Sequence, residues 1–154
     1  MNPSQQPLEV YYFPIWKPMP ESEVCQDNAF VEVTEGYTHS VRISGNRNPI
    51  GAYVSATEYH LLNLQKFSAM ELDLYHRGTV NGYLEIGYAV ENGVKKSIQR
   101  PITAIDGAPY TFKRYTADMT NLPEGRIEHL RFIFNVDDNP PLYYVNIAKI
   151  VLKP

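Results

Sequence analysis

The sequence of 154 residues predicts an all-β fold in which two antiparallel sheets pack face to face as a β-sandwich. Apolar and polar residues alternate with period two along most of the chain, and an amphipathic helical stripe is hard to find. Twelve tyrosines and six phenylalanines favour strands, whereas 12 prolines and 9 glycines interrupt the chain at short intervals. Together these features predict roughly eight to ten short strands.

Composition limits the classes of protein to which the chain can belong. With 44% hydrophobic and 20% charged residues it can bury one core, so we expect residues 1–154 to form a single β-sandwich domain. The net charge of −3 argues against nucleic acid or an anionic membrane surface as a partner. No apolar run reaches the roughly 18 residues that a membrane-spanning helix needs. The polar start MNPSQQP is not a signal peptide, and the lone Cys25 cannot form an internal disulfide.

Runs of alternating residues, bounded by Gly, Pro, Asn and Asp, mark the predicted strands. In chain order the strands cover residues 8–13, 29–34, 37–43, 52–56, 70–76, 83–90, 94–99, 110–115, 127–134 and 142–151. The first strand lies in a Pro-rich entry segment, residues 1–28. The second and third strands pair around Glu35-Gly36. We interpret residues 57–67 as a crossover between the sheets rather than as a helical turn.

The strand over residues 70–76 has the clearest alternation in the chain. Its apolar residues 70, 72 and 74 face the core, whereas Glu71, Asp73 and Tyr75 face solvent. Two Asn-Gly dipeptides, at 81–82 and 92–93, readily take positive φ and predict turns on either side of the next strand. The three strands around them are therefore predicted to form an antiparallel meander. The last two strands are predicted to pair across the loop 137–141.

Four segments resemble the sequence pattern of a known family. Residues 62–75 are similar to the segment L-D-L-S-x-Y-x-x-L-x-F-D-V-Y of jelly-roll carbohydrate-binding modules of the galactose-binding-like group. Residues 112–125 resemble their W-x-x-Y-x-x-D-L-S-x-L-x-G loop, with Phe112 at the tryptophan position. Residues 127–134 and 143–150 resemble the closing strands I-x-x-L-x-F-x-F and Y-x-I-D-D-I. The resemblance implies a jelly-roll β-sandwich that binds carbohydrate.

The resemblance also bears on metal binding. In many of these modules an acidic pair in the last strand helps to bind a structural calcium ion, and Asn146-Ile147 stands at that position here. An amide oxygen can ligate calcium but adds no charge. A structural calcium ion is therefore disfavoured, and we predict no cofactor.

A sugar-binding surface needs aromatic rings beside hydrogen-bonding groups, because sugar rings stack their C–H faces on aromatics while polar side chains hold the hydroxyls. Tyr75 and Tyr83 are predicted to lie on the solvent faces of adjoining strands. The candidate ligand-binding residues are Tyr75, Tyr83, Asp73, Glu85, Arg77, Arg42 and Arg131, with Trp16 and Tyr53 in loop-like stretches at the rim. Alternatively, these tyrosines support the sheets or a contact between subunits.

The sequence carries no common catalytic pattern: G-x-S-x-G, H-E-x-x-H and S-x-x-K are absent, and the four histidines lack the spacing of metal ligands. Glu71 and Asp73 share one strand face, and Glu85 across the predicted hairpin would complete a carboxylate cluster of the kind that hydrolyses glycosides. Solvated polar residues are much commoner on such a face. We therefore predict that the protein is not an enzyme.

Three functional hypotheses follow. The first is a non-catalytic module that binds a polysaccharide or glycan and so targets an attached enzyme or particle. The second is a structural or assembly domain, such as a virion decoration or fibre protein or an adhesin subunit, whose partners are its own copies or a larger assembly. A small lyase or hydrolase ranks last. A module of a secreted protein would be extracellular or at the cell surface, and the alternative location is a virion.

Overall fold

Strands dominate the part of the chain that a computed structural model describes: residues 8–10, 17–18, 28–34, 37–45, 47–55, 61–106, 112–137 and 143–154. The eleven strands in these ranges are β1 (Leu8–Val10), β2 (Lys17–Pro18), β3 (Asn28–Thr34), β4 (Tyr37–Ser44), β5 (Ile50–Ser55), β6 (Ala69–Tyr75), β7 (Thr79–Ala89), β8 (Lys95–Asp106), β9 (Lys113–Asp118), β10 (Arg126–Asp137) and β11 (Tyr144–Lys153). Two short 3-10 helices, Leu61–Lys66 and Glu91–Gly93, lie between strands. Within the same ranges, no helix has the length and hydropathy needed to cross a membrane.

All pairings between these strands are antiparallel, and the strands run in the order β2-β5-β10-β7-β8-β9-β6-β11-β4-β3, with β1 also paired to β11. The long strand β8 belongs to two layers, since residues 95–102 pair with β7 and residues 103–106 pair with β9. We call β2, β5, β10, β7 and the first part of β8 the front sheet, and the remaining strands the back sheet. The predicted all-β sandwich of antiparallel sheets is confirmed.

Both sheets turn their alternating apolar residues into one core. Leu72 and Leu74 of β6 and Leu84 and Ile86 of β7 are at most 1% exposed and belong to the same cluster. Burying one side chain of this size stabilises the fold by about 1.5–3 kcal/mol. Along each strand, inward residues alternate with outward ones. Because the inward residues of both sheets meet in the core, the outward residues of the front sheet and those of the back sheet point to opposite sides of the molecule.

The predicted pairing of consecutive strands is wrong at two places. β6 pairs with β9 and β11, whereas β7 pairs with β10 and β8, so only the β7–β8 part of the predicted meander forms. β10 lies between β5 and β7, and β11 pairs with β4, β6 and β1, so the predicted final pair does not form. In each case the connection carries the chain from one sheet to the other. Alternation identifies the buried side of a strand but not its neighbour.

The two Asn-Gly dipeptides differ in their roles. Asn92 and Gly93 have φ values of 76° and 75° and form the predicted turn between β7 and β8. Asn81 and Gly82 lie inside β7, so the turn predicted there is wrong. A Cβ on Gly82 would lie 2.6 Å from the carbonyl oxygen of Ile133 and 2.8 Å from the Phe134 ring. The glycine at this position therefore serves close packing of the sheet.

The entry segment contributes to both sheets. β1 pairs with β11 in the back sheet, and β2 pairs with β5 in the front sheet, so the segment holds two short strands where one was predicted. Residues 1–7, 11–16 and 19–27 of this segment lie outside the described residues. The connection between β5 of the front sheet and β6 of the back sheet contains the 3-10 helix Leu61–Lys66, so the prediction that residues 57–67 form a crossover without a helical turn is wrong for residues 61–66. Residues 57–60 lie outside the described residues.

Candidate functional site

The predicted ligand-binding residues are divided between the two outer faces. Tyr83, Glu85 and Arg131 lie on the front face. Position 53 of β5 is on the same face, because it pairs with Arg131. Tyr75, Asp73 and Arg42 lie on the back face. Arg77 is exposed in the connection between β6 and β7, and Trp16 lies outside the described residues. The prediction that Tyr75 and Tyr83 share a face is wrong, because β6 and β7 belong to different sheets.

The front face carries a row of polar positions across five strands. In register, Lys17 of β2 is opposite Tyr53, Tyr53 is opposite Arg131, Arg131 is opposite Glu85, and Glu85 is opposite Gln99 of β8. We call these five positions the front row. Neighbouring strands lie about 4.8 Å apart, so the row crosses the whole sheet at right angles to its strands.

The centre of the front row is an ion pair. Arg131 Nη1 lies 2.9 Å from Glu85 Oε1, and the two side chains are 17% and 14% exposed. Partial burial lowers the pKa of Arg131 below its ordinary value, yet a guanidinium stays charged near neutral pH. His129 Nε2 lies 3.7 Å from the same Glu85 oxygen. One carboxylate is therefore flanked by two nitrogen-bearing side chains.

His129 takes its position from the residue opposite it. His129 pairs with Gly87 of β7, and a Cβ on Gly87 would lie only 2.1 Å from His129 Cε1. The imidazole ring thus occupies the space that any larger residue at position 87 would fill. His129 is not among the candidate residues predicted from the sequence, although it stands two residues before Arg131 and alternation would have placed both on one face.

An apolar strip runs beside the front row. Ile133 of β10 is opposite Tyr83, and Tyr83 is opposite Pro101 of β8. Ile133 is only 4% exposed, but it lies between the inward-facing Phe132 and Phe134 and is not part of the core cluster. The front face therefore places an aromatic ring and apolar neighbours directly beside a charged, hydrogen-bonding row.

The acidic residues of the back face form a different arrangement. Arg114 Nε lies 3.3 Å from Asp73 Oδ1 and 3.9 Å from Glu71 Oε2, and Lys153 Nζ lies 3.4 Å from Glu71 Oε1. Asp73 is only 7% exposed. Glu85 is on the opposite face, so the carboxylate cluster considered from the sequence does not form. Glu71 and Asp73 each lie instead beside a cation.

An aromatic group occupies one end of the back face, where β6 ends and β11 begins. The Tyr75 ring centroid is 5.6 Å from that of Phe112 and 6.5 Å from that of Tyr144. The guanidinium carbon of Arg42 lies 4.8 Å from the Tyr144 ring centroid, and Arg42 Nε donates to Asn146 Oδ1 at 3.1 Å. We call Tyr75, Phe112, Tyr144 and Arg42 the back-face cluster. Tyr144 stands two residues before Asn146, and alternation alone could have placed it here.

The residues at the calcium position of the resembled family do not fit a cation. Asn146 is 2% exposed, and the oxygen that it would offer to calcium accepts the hydrogen bond from the positively charged Arg42. No group of three or more His, Cys, Asp and Glu side chains within the described ranges is placed to hold a metal ion.

Comparison with known proteins identifies the fold. No protein-family model matches the sequence, and no curated protein matches it. Among solved structures, the CBM22-1–GH10 modules of Clostridium thermocellum xylanase 10B, complexed with xylohexaose, are similar with a TM-score of 0.65 and 15% identity. The match covers 96% of this chain and 28% of that chain.

Smaller solved structures match over nearly their whole length. The CBM22-2 xylan-binding domain of Paenibacillus barcinonensis Xyn10C has a TM-score of 0.53 and 16% identity, with 96% of this chain and 99% of that chain covered. The family 11 carbohydrate-binding module of Clostridium thermocellum Lic26A-Cel5E has a TM-score of 0.52 and 11% identity, with coverages of 96% and 86%. The chain has the jelly-roll fold of carbohydrate-binding modules. The resemblance found in the sequence is confirmed at the level of this fold.

Proposed function

We propose that the protein binds a glycan chain without catalysis, and that the chain lies along the front row. The observation that carries this proposal is the front row itself, with the Arg131–Glu85 pair at its centre and the apolar strip of Tyr83 beside it. Binding would target an attached enzyme or particle to a polysaccharide, at the cell surface or outside the cell.

The spacing of the row suits an extended polysaccharide. Strands about 4.8 Å apart provide one side chain for roughly each pyranose ring of a chain that crosses them. Glu85 can accept hydrogen bonds from sugar hydroxyls and Arg131 can donate them. Because these two side chains already hold each other in place, little side-chain entropy is lost when a ligand binds.

The apolar strip supplies the second element of sugar recognition. Tyr83 is partly exposed, and its partners in register are the apolar residues Ile133 and Pro101. A partly exposed tyrosine ring can stack on the C–H face of a sugar. The solved structures of the same fold include a xylan-binding domain and a complex with xylohexaose, and this supports a polysaccharide such as xylan as the ligand class.

The test compares one tyrosine from each face by calorimetric titration with xylohexaose and with other neutral hexasaccharides. Tyr83→Ala should weaken binding about tenfold, because one aromatic contact is worth about 1 kcal/mol or more. Tyr75→Ala is the matched control on the back face and should bind within about twofold of the unaltered protein. Equal losses in the two variants, or no binding of any glycan by the unaltered protein, would refute the front-row site.

A second pair of variants tests the carboxylate. Glu85→Gln removes the charge that orients Arg131 and should weaken binding of the same hexasaccharide. Glu124→Gln alters an exposed carboxylate in the connection between β9 and β10 and should leave binding unchanged. Thermal unfolding of both variants shows whether a loss of binding reflects a loss of fold.

A further inference from the structure

The two Asn-Gly dipeptides of this chain carry a reactive pair of groups. The backbone nitrogen of a glycine can attack the side-chain amide carbon of the asparagine before it, because glycine has no side chain to obstruct the approach. The chain has this dipeptide at Asn81-Gly82 and at Asn92-Gly93. Both asparagine side chains are exposed, so their accessibility to water does not distinguish them. The backbone around each glycine does.

The backbone at Gly82 is held on both sides. Gly82 lies inside β7, where it pairs with Ile102 of β8 and with Phe134 of β10. To reach the Asn81 side chain, the Gly82 nitrogen would have to rotate out of an extended strand that has a neighbour on either side. The carbonyl oxygen of Ile133 lies only 2.6 Å from where a Gly82 Cβ would be, so the strands are closely packed here. The sheet therefore protects Asn81 from attack.

The backbone at Gly93 is much less restrained. Residues 91–93 form a short turn in which every residue is exposed, and Asn92 has φ 76° and ψ 8°, in the sparsely populated left-handed region. The Gly93 nitrogen donates one hydrogen bond, to the carbonyl oxygen of Val90 at 3.0 Å. A Cβ on Gly93 would meet nothing within 4 Å. Rotation of the Gly93 nitrogen towards the Asn92 side chain therefore breaks one hydrogen bond and disturbs no packing.

We propose that Asn92 is a site of spontaneous deamidation and that Asn81, in the same dipeptide, is not. The Gly93 nitrogen gives up its proton to solvent and forms a bond to Asn92 Cγ, while the bond from Cγ to Nδ2 breaks and ammonia leaves with a proton. Water then opens the resulting cyclic imide at either of its two carbonyl carbons. The products are aspartate and isoaspartate, and water is the only other reactant.

The modification changes both charge and backbone length at this turn. Either product adds one negative charge next to Glu91, and isoaspartate also adds one carbon to the backbone between β7 and β8. The longer backbone disturbs the bond from Gly93 to Val90, so the adjacent pair of Ala89 and Lys95 should open more often. Amide hydrogen exchange at residues 89 and 95 should therefore be faster in the isoaspartate form.

The experiment measures both asparagines in one peptide. The folded protein is incubated in ¹⁸O-labelled water at mildly alkaline pH and then digested with trypsin in ordinary water, so that the label marks conversion during the incubation. Cleavage after Arg77 and Lys95 releases residues 78–95, which contain both dipeptides. Fragmentation in the mass spectrometer reports each site. Asn92 should convert at least about tenfold faster than Asn81, because an exposed turn opens more readily than a central strand.

Three controls separate the effect of the fold from that of the dipeptide. In the isolated peptide 78–95 the sheet is absent, so both asparagines should convert at similar rates. Asn92→Gly removes the reacting amide at a position whose positive φ suits glycine, and it should give no product there. Asn81→Gln is the matched variant at the other dipeptide and should leave the conversion of Asn92 unchanged.

The proposal fails if Asn92 of the folded protein converts no faster than Asn81, since the turn would then protect its backbone as well as the sheet does. It also fails if aspartate forms without isoaspartate, because direct hydrolysis of the side chain bypasses the imide. The inference rests on the fold and not on glycan binding. Glu85 and Gln99 of the front row lie further along the same two strands, so the converted protein should bind a neutral hexasaccharide as the fresh protein does.

Discussion

Glu85 is the residue on which the front row depends most. Arg131 and His129 approach the same oxygen, at 2.9 Å and 3.7 Å, from the neighbouring strand. Two neighbours on one carboxylate oxygen limit the rotamers that Glu85 can adopt, and so fix where its second oxygen points. This prearrangement reduces the entropic cost of binding a ligand.

Gly87 is a positioning residue for His129. In Gly87→Ala the new methyl group must displace the imidazole, which is a flexible side chain that can rotate into solvent, so we expect a stability loss of only about 1 kcal/mol or less. Binding of a neutral hexasaccharide should weaken about two- to fivefold, because Glu85 loses one of its neighbours. Calorimetric titration measures the effect.

A double-mutant cycle separates this role from a general packing effect. His129→Ala should weaken binding by about as much as Gly87→Ala, and the double variant should bind no more weakly than His129→Ala alone. Fully additive losses would mean that Gly87 acts on binding by a route other than His129.

At the scale of elements, the turn that follows β9 is held by two side chains, Asp118 and Arg100. Asp118 Oδ1 accepts hydrogen bonds from the Thr120 amide at 2.8 Å and from the Thr120 hydroxyl at 2.6 Å. These two bonds lower the pKa of Asp118 below its ordinary value. Arg100 closes the same turn by donating to the carbonyl oxygens of Thr120 and Asn121.

The depressed pKa gives a pH dependence with a definite sign. The folded chain holds the Asp118 proton less tightly than the unfolded chain does. The stabilisation is therefore present above the unfolded-state pKa of about 4 and is lost as the pH falls through the lower folded-state value. Thr120→Val removes the hydroxyl bond, so the difference in melting temperature between the unaltered protein and this variant should be larger at pH 6 than at pH 2. A difference independent of pH would contradict this account.

Strand faces could be predicted from the sequence, whereas strand partners could not. Alternation placed Leu72 and Leu74 inward and Glu71 and Asp73 outward, because a strand presents its two faces in turn whichever sheet it joins. The sheet that a strand joins depends on the path of the connection before it. The short link at Arg77 and Gly78 carries the chain across the sandwich, although a link of that length would equally suit a hairpin.

The same limit explains what was missed at the candidate site. The candidate residues were predicted as a single set, whereas the structure divides them between the two outer faces. Asn81-Gly82 shows the same limit in the fold, because this dipeptide is typical of hairpin turns but lies within β7. A side chain at position 82 would collide with Phe134 of β10, and this contact between residues distant in sequence requires a glycine there.

At the scale of the whole molecule, the described side chains include few large apolar ones that are mostly exposed. Among the described side chains, the large apolar ones that are more than half exposed are Val94 and Ile105, at 52% and 54%. They flank opposite ends of β8 and so cannot form one patch, whereas stable subunit contacts bury a continuous apolar surface.

We therefore expect light scattering to give a mass near 17.6 kDa for the protein without ligand, at all accessible concentrations. Addition of a glycan long enough to hold several copies should raise the mass, whereas a hexasaccharide should not. A stable trimer or larger particle in the absence of glycan would favour the structural or assembly role.

The division of strand β8 between the two sheets affects how the molecule unfolds. Its first part completes the front sheet and its last part completes the back sheet, within one uninterrupted stretch of backbone. Unfolding of either sheet removes a hydrogen-bonded strand from the edge of the other sheet. The two sheets should therefore unfold together, without a state in which only one of them is folded. Heating should give one sharp calorimetric peak, and amides at both ends of β8 should exchange with deuterium through the same global opening.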